Sequence, residues 1–381
     1  MSNGIYLDHA ATSPMLPEVI DAITNAMQEN YGNASSMHQF GRRARQALDQ
    51  AREIFAASIQ ATFNEIVLTS GGTEGDNYAI LETAFSRQAV GRHLITTEVE
   101  HHAVLHTMEH LETLGFEVTY LPVDENGAIS INDLKAALRE DTILVSIMYG
   151  NNEVGTLMPI HEIGAIVQAT NAYFHTDAVQ AYGYEEIDVK RDHIDLLSVT
   201  AHKINGPKGI GFLYINENIH LPNMMYGGEQ EMKRRPGTEA IPNVIGFATA
   251  VEYMKQTNQA KNRDYPALFD ALLQELNQAQ VDYSLNGQNV PHLPHILNIW
   301  IKGVPVEQML MNLDLAGVAA SSGSACTAGN LEPSHVLTAM YGKDNPRIHE
   351  SLRFSIGFGT TEADMKQAGQ AIAAIVTRLK K

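Results

Sequence analysis

The 381-residue chain has a single cysteine, Cys326. That excludes a disulfide framework and a cysteine-rich zinc site, and it suits a reducing compartment. Positive charge is also scarce: 26 Lys and Arg stand against 44 Asp and Glu, a net charge of −18. A free nucleic-acid binder needs the opposite balance, and an anionic membrane surface would repel this chain. Two short basic runs, Arg42–Arg43–Arg45 and Lys233–Arg234–Arg235, read as solvated faces. No apolar run approaches the roughly 18 residues of a membrane span. The first residues, MSNGIYLDHAATSP, lack a basic stretch followed by an apolar one, so no signal peptide is read and the cytoplasm is expected. Neither internal repeats nor low-complexity segments occur. There are 16 histidines but no HExxH or paired ligand spacing, so no metal site is expected.

What is present is a globular composition, 44% hydrophobic and 18% charged. Helical periodicity appears over Pro17–Gln28 and Arg42–Ile59. Short apolar runs follow at Glu65–Thr69, His93–Thr97, Glu117–Leu121, Ile143–Tyr149, Tyr173–Thr176, Asp195–Val199 and Gly211–Ile215. Helix-like segments separate most of them: Asp76–Ser86, His102–Leu114, Ile131–Arg139 and His161–Thr170. Continuous apolar strands alternating with helices predict an α/β domain with a mainly parallel mixed sheet flanked by helices. After about residue 260 the rhythm changes. A polar stretch, Lys255–Asp264, precedes a helix near Tyr265–Ala279, then a strand Ile296–Ile301, a helix Val306–Asp314 and a Ser/Gly-rich loop, Ser321–Asn330. We expect residues 15–260 to form the large domain. Residues 1–14 and 261–381 would form a smaller α+β domain carrying the cysteine loop.

Four segments share one geometry: each follows an apolar strand, at the sheet edge where α/β proteins bind ligands. In EIVLTSGGTEGDN, glycines let backbone approach an anion and a helix N-terminus points amides at it, so Ser70, Gly72 and Thr73 could cradle a phosphate. Taken alone this is more often a simple turn. Asp177 in HTDAVQAYG reads either as a ligand-facing carboxylate or as a helix N-cap. Lys203 in AHKINGPKG is either a solvated lysine or a Schiff-base lysine of lowered pKa. Pyridoxal phosphate chemistry asks for that lysine together with an acid for the ring nitrogen. In EHHAVL, His101 or His102 could stack on a flat ring, the other being a first-turn surface histidine. Cys326, in SSGSACTAGN, has small and polar neighbours; a mobile nucleophile fits them better than a buried structural thiol.

These segments resemble the fold-type I pyridoxal 5′-phosphate enzymes of the class V aminotransferase group. With the cysteine loop, the chain is similar to the NifS/IscS-type cysteine desulfurases. The likeness runs almost end to end, through YLDHAATSP (Tyr6–Pro14), YGNASSMHQFG (Tyr31–Gly41), TSGGTEGDN (Thr69–Asn77), EHHAVL (Glu100–Leu105) and NNEVGT (Asn151–Thr156). It continues through HTDAVQAYG (His175–Gly183), AHKINGPKG (Ala201–Gly209), RRPGT (Arg234–Thr238), SSGSACTAG (Ser321–Gly329) and LRFSIG (Leu352–Gly357). The resemblance implies that Lys203 holds pyridoxal 5′-phosphate covalently and moves protons. Asp177 would keep the ring nitrogen protonated, and His101 would stack on the ring. Asn152 and Gln180 would bond its phenolic oxygen, and Gly72, Thr73, Thr200 and His202 its phosphate. Thr238 would reach the phosphate of the other subunit, which implies a homodimer. Arg353 would clamp the substrate carboxylate, and Asn33 and His38 would lie near the substrate. Cys326 would take the sulfur of L-cysteine as a persulfide, leaving L-alanine.

The implied loop is the long, mobile type, able to hand sulfur to an acceptor, and Ser321–Asn330 is expected to be mobile. Scaffold-serving relatives extend past the last helix, whereas this chain stops at RLKK. A tRNA 2-thiouridylase therefore stands beside an iron–sulfur scaffold as the expected acceptor. A selenocysteine lyase, or another β-eliminating enzyme of the group, would need Lys203 but could dispense with Cys326. A cofactor-free sulfur carrier on the same scaffold would have no use for Lys203, Asp177 and His101 together.

Overall fold

A computed structural model describes residues 4–323 and 333–380. Cys326 and the rest of the loop beyond Gly323 lie outside the described residues. The centre is a seven-stranded mixed sheet, β1 (Ile66–Thr69), β2 (His93–Thr97), β3 (Glu117–Leu121), β4 (Thr142–Ser146), β5 (Tyr173–Asp177), β6 (Leu196–Thr200) and β7 (Gly211–Ile215), in the order β1-β7-β6-β5-β4-β2-β3. β7 runs antiparallel to both neighbours, and the other pairings are parallel. The strands β1, β2, β4, β6 and β7 are buried along their whole length, which is why they read as unbroken apolar runs rather than alternating ones. Helices cover both faces and leave two apolar layers, one of them around Phe55, Phe174, Phe212 and Phe247, the other around Tyr78, Leu94, Leu144 and Leu213.

A second, three-stranded antiparallel sheet follows, β8 (Tyr283–Asn286), β9 (Ile296–Ile301) and β10 (Ser351–Ser355), with β9 in the middle. Ile5–Tyr6 pairs in parallel with Val318–Ala319, and Asp8 bridges to Ser355, so the first residues run alongside the last third of the chain. One expectation is corrected. The polar stretch Lys255–Asp264 is no break: a single helix runs from Ile241 to Gln278, through Pro266. It packs against the helices Pro17–Glu29, Gln39–Ser58 and Glu362–Leu379, and this tertiary burial outweighs the local loss of apolar periodicity. Among the described residues no helix is long and apolar enough to cross a membrane.

Candidate active site

The site lies where β1, β2, β4, β5 and β6 end. A cavity of about 540 Å³ opens there, lined by residues that close or follow those five strands: Gly72, His101, Asn152, Asp177 and Lys203 among them. The N-terminal segment contributes Asp8, Ala10 and Ala11, and the last third contributes Ser321–Gly323, His335 and Arg353.

Lys203 sits on a 3₁₀ turn directly after β6. Its Nζ donates to the carbonyls of Ala10 at 2.5 Å and Ala11 at 2.8 Å. Burial pushes its pKa down from the lysine value to about 8, helped by the Arg353 guanidinium and opposed by Asp177 and Asp8. Asp177 ends β5 and is buried. One oxygen accepts the Val179 amide at 2.8 Å, an Asx-type turn, while the carboxyl also faces the cavity. No helix follows Asp177, so the N-cap reading gives way to a turn, and the carboxylate closes that turn while facing the site. Burial raises its pKa to about 6, against the Val179 hydrogen bond and the charge of Lys203.

Of the two adjacent histidines, both line the cavity. His101 caps the helix His102–Thr113, its Nδ1 accepting the Ala103 amide at 3.1 Å. Burial and then Lys203 lower its pKa to about 4, so the ring is neutral at physiological pH. His202 bonds Thr12 through Nδ1 at 3.1 Å, and burial lowers its pKa to about 4 too. Gln180 donates to the Ala10 carbonyl at 2.9 Å. At Gly72 an added Cβ would stand 2.7 Å from Val179 Cγ2, so only glycine lets this helix start approach so closely.

Arg353, on β10, is buried and donates to Asp8 at 2.7 Å and to the Asn152 carbonyl at 2.9 Å. Its backbone exchanges hydrogen bonds with Ser321, N to O 2.7 Å and O to N 3.2 Å. The first residue of the Ser/Gly-rich loop is therefore pinned to β10 at the cavity wall; the expectation of mobility from 324 onward falls outside the described residues.

Ten of the expected site residues line this cavity: Gly72, Thr73, His101, Asn152, Asp177, Gln180, Thr200, His202, Lys203 and Arg353. Asn33, His38 and Thr238 do not. Each is exposed on this chain, Asn33 in a turn with Ser35 and His38 as the N-cap of Gln39–Ser58. The structure adds residues that carried no role in the sequence reading: Asp8, Asp76 and Glu100. Each stands inside a quoted motif, but only the folded chain brings Asp8 to Arg353. Among the described residues one group could offer a metal three ligand atoms within 4.8 Å of one another: Asp76, His101 and Asp177, at the centre of this same pocket.

The basic run Lys233–Arg234–Arg235 is not simply a solvated face. Arg235 makes two bonds to Glu74, at 2.8 and 3.1 Å, and Arg234 is half-buried. The Arg42–Arg43–Arg45 run is exposed as expected, with Arg43 and Arg45 in surface pairs with Glu29 and Asp49.

The sequence matches the class-V aminotransferase family over residues 5–367. It is 52% identical over 375 residues to a putative cysteine desulfurase IscS 1 of Bacillus subtilis, covering 98% of this chain and 99% of that one. To cysteine desulfurase IscS of Methanosarcina thermophila it is 44% identical, covering 100% and 93%. Among solved structures, a NifS-like protein superposes with a TM-score of 0.91 at 31% identity, covering 98% of this chain and all of that one. A structure described as SspA in complex with cysteine gives 0.82 at 34% identity, covering 92% and 98%. With these likenesses spanning nearly its whole length, the chain belongs to the class-V aminotransferase family, as a NifS/IscS-type cysteine desulfurase that uses pyridoxal 5′-phosphate.

Proposed function

We propose that this cavity takes the sulfur of L-cysteine onto Cys326 as a persulfide and releases L-alanine. One observation carries the reading. A lysine of lowered basicity, a buried aspartate and a buried arginine converge on a cavity whose wall includes Ser321–Gly323, three residues short of Cys326 in sequence. The solved neighbour described in complex with cysteine supports cysteine as the substrate.

The donor set suits pyridoxal 5′-phosphate. The first-turn amides at Gly72 and Thr73, on a 16-residue helix, suit a phosphate, with Thr200 and His202 beside them. Asp177 suits the ring nitrogen, the neutral His101 ring suits a stacked partner, and Asn152 and Gln180 suit the phenolic oxygen. Bound there, the cofactor supplies an electron sink that makes the substrate's α-proton removable. The chain supplies the rest. Lys203, neutral over part of the physiological range, anchors the cofactor and carries the proton. Arg353, already oriented by Asp8, presents a planar two-pronged donor for the substrate carboxylate. Cys326, as thiolate, accepts the sulfur.

The exposure of Asn33, His38 and Thr238 away from their own cavity supports a homodimer in which each chain completes its partner's site. The persulfide would pass to an acceptor protein, an iron–sulfur scaffold or a tRNA 2-thiouridylase, in the cytoplasm. Purified candidates incubated with the persulfidated enzyme would separate the two by which one gains sulfur.

The test of the main reading is alanine release from L-cysteine with cofactor and reductant, wild type beside Cys326→Ser. Alanine from the wild type alone is expected, with the variant keeping its cofactor absorbance. Alanine from both would point to sulfur removal by the added reductant without a protein thiol, the selenocysteine lyase alternative, and overturn the role given to Cys326; pyruvate in place of alanine would mark β-elimination.

A further inference from the structure

Two more acids lie close to Asp177, Asp76 in the cavity lining and Glu100 outside it. Asp76, on the helix Gly72–Arg87, is 1% exposed, and Glu100, just past β2, is fully buried. One oxygen of each, Asp76 Oδ1 and Glu100 Oε2, has no hydrogen-bond partner. Asp76 lines the cavity. One of its oxygens, an Asp177 oxygen and a His101 nitrogen lie within 4.8 Å of one another. Among the described residues neither Asp76 nor Glu100 pairs with a lysine or arginine; the basic contact of Asp76 is His175 Nε2 at 3.6 Å. That histidine is fully buried, bonds Ser146 at 2.8 Å and Ser198 at 3.1 Å, and burial lowers its pKa to about 3, so it brings no charge. The other Glu100 oxygen takes the Thr97 hydroxyl and the Met148 amide, both at 2.9 Å, and both neutral donors.

A carboxylate out of water without a cation is strongly disfavoured against its neutral acid, and three of them close together would also repel one another. Asp177 differs from the other two, because the Lys203 ammonium of the cofactor-free chain favours its ionised form, and a protonated ring nitrogen would do the same with the cofactor bound. We propose that Asp76 and Glu100 are held as neutral acids in the working enzyme, leaving Asp177 as the one ionised acid of the three. The inference rests on the reading that Asp177 faces the cofactor's ring nitrogen. Burial pushes both flanking acids up, Glu100 to about 8, and Asp76 well above the carboxylate range with the charge of Asp177 adding to it and the Ser198 hydroxyl opposing. The two are positioning residues. Were either ionised, its like charge would favour a proton on Asp177 and weaken its hold on a ring N–H.

Infrared spectroscopy of the cofactor-loaded enzyme near neutral pH reads these protons directly, because a protonated carboxylic acid absorbs apart from a carboxylate. The expected result is that Asp76→Asn removes one acid band, Glu100→Gln removes another, and Asp177→Asn removes none. If Asp177→Asn removes a band while Asp76→Asn does not, the proton belongs to Asp177 and the proposal is overturned. It is equally overturned if neither Asp76→Asn nor Glu100→Gln removes a band. Should Asp76→Asn fail to fold, carbon-13 labelling of aspartate in the wild type must shift an acid band, and the absence of any such band overturns the Asp76 assignment. No turnover is involved, so a failed alanine assay leaves this result standing, and missing bands leave the desulfurase reading standing.

Discussion

The Lys203 amine sits between two pulls. Burial and the Arg353 guanidinium favour its neutral form, while Asp177 and Asp8 favour the ammonium, and the balance falls at about 8. Covalent capture of pyridoxal 5′-phosphate needs the neutral amine. Capture by the cofactor-free protein should therefore quicken about tenfold per pH unit below that value and level off above it. Stopped-flow absorbance measures this; a rate still climbing toward the ordinary lysine value would show that burial does not destabilise the ammonium. The same shift has a consequence for stability. Between about 8 and the lysine value of 10.5 the unfolded chain binds more protons at this position than the folded one. Its contribution to stability therefore rises with pH across that window. At this scale the sequence was readable where a residue's role follows from its place after an apolar strand, as with Lys203 and Asp177. It was silent on Asp8, which meets Arg353 across 345 residues of chain, because nothing local to either marks the pairing.

Between elements, the segment after Glu229 is under strain that long-range bonds hold in place. Glu231, Met232 and Lys233 are successive non-glycine residues with left-handed backbone, φ of 49°, 56° and 68°. Each such residue costs roughly 1–2 kcal/mol. The restraint is a buried ion pair: Arg52 donates to both Glu231 oxygens, at 2.6 and 2.8 Å, and Glu231 also accepts the Leu68 amide of β1 at 2.8 Å. Tyr78 donates to the Arg234 carbonyl at 2.9 Å, fixing the start of the RRPGT motif that leads to Thr238. Glu231→Gln should cost about 3–5 kcal/mol by leaving the Arg52 charge uncompensated. Lys233→Gly, at an exposed position, should gain about 1 kcal/mol by relieving one left-handed residue. Urea midpoints of the two variants would separate, in opposite directions from the wild type. A Glu231→Gln midpoint close to the wild type would mean that the ion pair does not hold the turn. The Lys233–Arg235 run read as solvated because its partners Glu74 and Tyr78, and the Arg52 that anchors Glu231, come from elements more than a hundred residues earlier. Strands were legible for the opposite reason. His93–Thr97, Tyr173–Thr176 and Gly211–Ile215 carry their burial in their own composition, whereas the helix Ile241–Gln278 owes its continuity to three helices packed against it.

For the whole molecule, apolar side chains stand exposed beside residues expected at a site. Tyr226 is 92% and Met37 90% exposed, and Tyr31 and Phe40, stacked at 5.6 Å, flank Asn33 and His38 where the chain enters the helix Gln39–Ser58. Exposed apolar side chains grouped around residues expected at a site, yet outside their own cavity, are what a second copy would cover. In a two-fold dimer the same patch serves both chains, so each cavity would combine Lys203 of one chain with Thr238 of the other. That geometry makes a prediction no monomer can satisfy. A Lys203→Ala enzyme and a Thr238 variant too weak in cofactor binding to work, each inactive alone, should recover activity when unfolded together and refolded. Half of the dimers would be mixed, and one of the two sites in a mixed dimer would hold both native residues. Recovery should thus approach about one quarter of the wild type. Sedimentation would establish the dimer in parallel. Dimers without recovery would put Thr238 in the site of its own chain or in none. A monomer with full activity would remove the shared site altogether.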